Sequence, residues 1–328
     1  MPRWMRFTRL AVVLVAVVFV TTRLADRFGH DGPPSGVAGV PTVLADRAPE
    51  VERTVDVHSG YGTWVDVYDY VPSEGSAVVT PATVDEMADQ GVRTLFLQTG
   101  QFDESGGELL ADPDLVAQFL VRAHLAGMRV VGWYLPRFTD IDGDLAHLSA
   151  ISDFEVLGHR FDGVAVDIEW TEGVPDHVER SDELVELSKR LRDAVDDDSL
   201  GAIVLPPVQT EVVNPRKWPD FPWRDLAGIY DVWLPMGYWT ERRADSGYQD
   251  GWTYTDENVR RLRANLRDPD APVHAIGGIG DGITAAQAER FVDALEEHDT
   301  IGGSIYDWVT LDPRVSDYLA TELAPSDD

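Results

Sequence analysis

Apolar and polar positions alternate along this chain in two different periods. Short runs rich in β-branched, leucine and aromatic residues predict strands over Thr63 to Tyr68, Arg93 to Gln98, Arg129 to Leu135, Gly163 to Glu169, Ala202 to Leu205, Val232 to Tyr238, Val273 to Ile276 and Gly303 to Tyr306. Between them the apolar residues recur at helical spacing. Examples are TPATVDEMADQG, with Thr80 or Thr83 as cap, DPDLVAQFLVRAHLAG, ending at Gly127, and TAAQAERFVDALEEH, opening at Thr284. Strand and helix alternating without interruption predict parallel βαβ units, and eight of them suit a closed (β/α)8 TIM barrel of about 250 residues. An open doubly wound sheet is the competing architecture, but no G-x-G-x-x-G opens the first unit. There is no internal repeat and no sign of a second domain, so the barrel is assigned to residues 59–324 and a tail to 325–328.

The N-terminal residues follow another pattern. Arg3, Arg6 and Arg9 precede an apolar run from Leu10 to Val20, the order of a secretory signal. That run is short for a bilayer core of about 30 Å, yet no small-residue cleavage site follows it closely. Residues 1–27 are therefore a signal peptide or a membrane anchor, and the protein is expected outside the cytoplasm, secreted or attached to the membrane. The Gly- and Pro-rich residues 28–58 read as a linker.

Charge narrows the partners. Lys plus Arg number 27 against 58 Asp plus Glu, a net charge of −31 that would repel a phosphate backbone and argues against nucleic acid. Lys189 and Lys217 are the only lysines. The absence of cysteine removes disulfides and thiolate chemistry. The histidines are scattered without ligand spacing, so neither a metal nor a cofactor is expected. Ser73, Ser188 and Ser304 lack a G-x-S-x-G context for a nucleophile.

In a barrel, side chains at the C-terminal strand ends line the working mouth. That places Asp66, Tyr68, Gln98, Trp133, Tyr134, Asp167, Glu169, Met236, Tyr238, Tyr306, Asp307 and Trp308 there. The run FDGVAVDIEW carries the sharpest signal. Strand periodicity puts Ala165, Asp167 and Glu169 on one face and Val164, Val166 and Ile168 on the other. The branched set packs against helices, which turns both acids inward. Two close, poorly solvated carboxylates cannot both ionise without cost, so one is held protonated, as a general acid requires; a structural acid pair bonded to Arg or backbone is the alternative.

FDGVAVDIEW resembles the fourth-strand signature of glycoside hydrolase family 18, the chitinase-like enzymes, Asp-Gly-x-Asp-x-Asp-x-Glu. Asp162, Gly163, Asp167 and Glu169 match, and Ala165 stands at the first inward Asp. LPMGYW is similar to the family's Met-x-Tyr-Asp, matched by Met236 and Tyr238 with Trp239 at the Asp, and GGSIYDW is similar to its eighth strand. The resemblance implies a retaining, substrate-assisted glycoside hydrolase acting on a carbohydrate, an N-acetylated polysaccharide among the choices. Glu169 would be the acid, Asp167 would orient the 2-acetamido group, and Tyr238 would bond to it. Ala165 would leave Asp167 without its supporting partner. A barrel that binds glycan without cleaving it is the alternative.

Trp133, Trp170, Trp239, Trp252 and Trp308 fall near strand ends and suit either stacking on sugar rings or plugging the barrel. The glycines of HAIGGIGDGIT and GGSIYDW suit tight turns or a phosphate cradle.

Overall fold

The computed structural model describes residues 48–49, 53–100 and 107–324; the leader, most of the linker and the tail lie outside them. Among the described residues no helix is long and apolar enough to cross a membrane. Eight parallel strands run in chain order around a ring: β1 (Gly60–Val65), β2 (Thr94–Gly100), β3 (Arg129–Tyr134), β4 (Gly163–Ile168), β5 (Leu200–Val204), β6 (Val232–Pro235), β7 (His274–Ile279) and β8 (Gly302–Tyr306). β8 pairs with β1, and the bridges Trp233 to Val273 and Met236 to Ile276 join β6 to β7, closing the predicted barrel.

Helices cover the outside: α1 (Val67–Tyr70), α2 (Thr83–Asp89), α3 (Pro113–Leu125), α4 (Ile141–Asp153), α5 (His177–Val195), α6 (Trp223–Leu226), α7 (Gly251–Leu266), α8 (Ala285–Glu297) and α9 (Pro313–Glu322). Several ends are written into the sequence. Thr284 and Gln287 form a reciprocal capping box at α8, and Gly127, with φ +78°, takes the left-handed position after α3. At α2 the expected threonine caps are not used. Ala82 precedes the helix, and the Thr83 hydroxyl instead accepts from the Thr80 N–H at 3.0 Å.

Alternation along each strand divides the core into two layers. Val164, Val166 and Ile168 pack outward with Leu184, Leu187 and Leu191 of α5 in the continuous sheet–helix layer. Trp64, Phe96, Trp133, Ala165, Ile203, Leu234 and Ile276 fill the lumen, where Trp64 and Phe96 stack at 4.3 Å. A 3-10 turn, Val55–His58, closes the bottom. There His274 donates from Nδ1 to the His58 carbonyl (2.7 Å), while Ser304 bridges His274 Nε2 (3.0 Å) and the Trp64 indole N–H (2.8 Å). Burial holds both histidines neutral, lowering His58 to about 3 and His274 to about 4.

The Gly-rich segments serve packing. A Cβ on Gly277 would lie 2.4 Å from Ile305 Cδ1, and one on Gly303 would lie 2.4 Å from Leu295 Cδ1. Both glycines sit within strands, where they let the sheet approach its outer neighbours, and are neither turn residues nor a cradle open to phosphate.

Candidate active site

The acid pair stands at the open end of β4. Ala165, at 0% exposure, is level with Trp133 on β3 and Gly201 on β5, so the lumen beneath Asp167 is an apolar floor. Two residues higher, Asp167 is buried and its Oδ1 has no hydrogen-bond partner. Its carboxyl is pushed well above the ordinary range, first by burial and then by Glu169. Half-buried Glu169 follows, raised by burial and drawn partly back by the Lys217 ammonium. The strand rise separates the two Cα atoms by about 6.6–6.8 Å. An apolar floor and a like charge thus both disfavour ionisation of the pair.

Tyr238 joins them from the end of β6. Met236 and Tyr238 continue the inward face of Val232 and Leu234 into the lumen cluster. The Tyr238 hydroxyl is pushed up by burial, then by Glu169 and Asp167, with smaller effects from Asp307 and Asp66. Its ring lies 5.8 Å from that of Tyr306, whose hydroxyl donates to Asp66 Oδ2 at 2.9 Å. Asp66 caps α1 by accepting from the Tyr68 N–H (2.9 Å). The acids of β4, the tyrosines of β6 and β8 and the aspartate after β1 therefore converge on one mouth.

Other expected mouth residues are placed differently. Gln98 faces inward, but its Oε1 accepts from the Val67 N–H (3.1 Å) and its amide contacts the Gly100 carbonyl (3.4 Å), so it braces the β1–α1 junction. Trp133 lies in the lumen at 5% exposure, its indole N–H buried without a partner. Tyr134 points the other way, donating to Asp144 Oδ1 (2.7 Å) and stacking on His147. Trp239 is likewise outside the lumen, fully buried against Phe291 of α8. The cause is parity: each falls one residue from an inward neighbour, Trp133 or Tyr238. Tyr68, on α1, and Trp308, after β8, pack against the sheet–helix layer. Trp252 sits on α7 under Arg290, and Trp170 lies under the Arg137 guanidinium at 4.8 Å.

The sequence reading passed over Asp69 and had no role for Lys217. Asp69 belongs with Asp66 and Asp307, whose carboxylates each offer an oxygen within 4.8 Å of the others. The chemistry of that donor set suits a hard cation, but no spacing along the chain joins residues after β1 and β8. Asp307 also accepts from the Thr310 N–H (2.9 Å) and hydroxyl (2.8 Å). A separate cleft of about 630 Å³ lies between the loops after β3 and β4 and helix α5, lined by Glu179, Glu183, Glu186 and Arg190 but by none of the acid pair or tyrosines.

No family model and no curated protein matches this chain. Solved structures do match. A family 18 chitinase from Cycas revoluta, complexed with allosamidin, superposes with TM-score 0.59 at 10% identity over 81% of this chain and 100% of its own. The two share the (β/α)8 barrel fold. A family 18 N-acetylglucosaminidase from Paenibacillus barengoltzii superposes with TM-score 0.57 at 11% identity, covering 81% of this chain and 100% of that one. An endo-β-1,4-mannanase from Thermotoga petrophila reaches TM-score 0.59 at 10% identity, over 84% and 78% of the two chains. At such identities the likeness is one of fold, and function rests on the site.

Proposed function

We propose that this protein is a glycoside hydrolase with Glu169 as its general acid. The observation that carries the reading is Asp167 at the end of β4, in register with inward Ala165 over an apolar floor, with Glu169 just past the strand coupled to it and the Tyr238 hydroxyl within the field of both. Glu169, half-buried and made a weaker acid by burial, delivers its proton to the glycosidic oxygen as the bond to the anomeric carbon breaks. Asp167 orients a 2-acetamido group whose carbonyl oxygen attacks that carbon, and Tyr238 donates a hydrogen bond to the same group. The substrate is then an N-acetylated glycan. Residues 1–27 export the chain or anchor it to the outer face of the membrane, a role supported by the arginines before Leu10 to Val20.

Ala165 favours a second reading, a barrel that binds glycan without cleaving it, because Asp167 Oδ1 lacks a partner that would fix the carboxyl. One assay separates the two. Chitooligosaccharides and peptidoglycan glycan strands are incubated with the wild type and with Glu169→Gln, and reducing ends and binding are followed. Turnover that falls by about 10²–10⁴ in the variant while binding persists supports the enzyme. Turnover unchanged by the substitution removes Glu169 from the mechanism, and binding without turnover in both proteins supports the lectin.

A further inference from the structure

The acid pair poses a problem that its own members do not solve. For Glu169 to give up a proton while Asp167 orients the acetamido group as an anion, the pair must hold one proton and hold it on Glu169. Burial works the other way. Asp167 is 7% exposed and Glu169 half-buried, so desolvation opposes charge on the very acid that needs it. A hydrogen-bond donor on the inner side of Asp167 would restore the order, because a bond to the charged form favours ionisation. Position 165 beneath it supplies only a methyl group.

The inner oxygen of Asp167 narrows the search. Oδ1 is closed to solvent and has no partner, so it is turned into the protein and away from any ligand in the mouth. Few side chains of the lumen can donate there. The Trp64 indole N–H is engaged by Ser304 Oγ (2.8 Å), the Tyr306 hydroxyl by Asp66 Oδ2 (2.9 Å), and both ends of the Gln98 amide by backbone. Tyr238, half-buried, is the donor assigned to the acetamido group. Trp133 remains. It is 5% exposed, and its indole N–H is likewise closed to solvent and without a partner among the described residues. Strand pairing sets Trp133 level with Ala165, one inward row beneath Asp167 on the neighbouring strand. The residue is held there by Thr99 Oγ1, which donates to its carbonyl (3.2 Å), and by the edge-on Trp64 ring at 6.0 Å.

A buried donor and a buried acceptor, each unpaired, are both costly, and here they line the same part of the lumen. We propose that Trp133 is a positioning residue for Asp167, its indole N–H donating to Oδ1 of the Asp167 anion in place of the side chain that Ala165 lacks. The two atoms are not joined in the resting structure. A neutral carboxyl is the weaker acceptor, and the soft χ2 of aspartate lets Oδ1 swing toward the donor as charge develops. The titratable groups around Asp167 are Glu169 beyond it on the same segment and Tyr238 from the end of β6; the inward neighbours on β3 and β5, Trp133 and Ile203, carry no charge. The catalytic use of this bond rests on the glycoside hydrolase reading, but the bond itself does not.

The test follows the indole N–H signals of the 15N-labelled full chain by NMR as pH is raised. Trp133→Phe assigns the Trp133 signal, and the other indole signals, unmoved, show that this variant is folded. In the wild type the Trp133 proton should move downfield as Asp167 ionises. Asp167→Asn should flatten that titration, and Glu169→Gln should keep it. A Trp133 signal that does not titrate in the wild type, or that titrates equally in Asp167→Asn, overturns the proposal. Where a glycan is turned over, Trp133→Phe should also move the acid limb of kcat/KM upward by about one pH unit or more, and a lower rate with an unmoved limb would leave Trp133 a packing residue only. Absence of turnover defeats the hydrolase reading alone, since the indole titration is scored without substrate.

Discussion

Asp69 provides a quantitative test of how the mouth is charged. Burial first, then Asp66 and Asp307, push its carboxyl from 3.8 to about 7. A difference of about three pH units at about 1.4 kcal/mol each corresponds to roughly 4 kcal/mol, and the carboxyl is half-buried, so solvent screening reduces this to about 2 kcal/mol. The sign follows from proton uptake. Between 3.8 and about 7 the folded protein holds the proton that the unfolded chain has lost, so unfolding free energy falls as pH rises through this window and the full cost is present above it. Asp69→Asn removes the charge and keeps an oxygen able to accept from the Asp66 N–H, a contact of 3.4 Å in the native protein. Urea unfolding of both proteins at pH 4.5 and pH 8 should show the variant ahead by about 2 kcal/mol at pH 8, with most of that gain gone at pH 4.5. In thermal melts this is a gain of about 4 °C. An equal effect at the two pH values, of either sign, would refute the argument that Asp69 is held protonated at the mouth.

The remaining outcomes concern the acid and the packing. With Glu169 raised by burial, kcat/KM should decline on the alkaline side above the ordinary glutamate value of about 4.3, and Lys217→Met should move that limb to higher pH. A decline centred near 4.3 in a pH–rate profile would remove Glu169 as the buried acid. Gly277→Ala should cost about 1–3 kcal/mol in urea unfolding, because the new methyl would meet Ile305 at 2.4 Å and Trp239 at 2.9 Å. A neutral result there would mean the β7–β8 wall yields more easily than its packing implies.

Much of the architecture was legible because it depends on short-range patterns. All eight strands appear near their expected places, and the division of β4 into Val164, Val166 and Ile168 outward and Ala165 inward follows from a period of two that gives Asp167 the parity of Ala165. The same rule would have set Tyr134 and Trp239 aside had it been applied beyond β4. Counting residues from Trp133 and Tyr238 puts each of them on the helix side of the wall.

By itself the sequence determined the alternation that builds the barrel, the shared parity of Ala165 and Asp167 and the apolar position beneath that acid, since each is a property of neighbours a few residues apart. Closure of the ring decided the rest. Only closure brings Asp66 and Asp69 beside Asp307, about 240 residues along the chain, joins Tyr306 to Asp66, and ties the Lys217 carbonyl to the segment after Glu169 through Arg180. Those contacts lie between strand ends whose separation in sequence is set by the helices that connect them, and no local period records which loops will face one another.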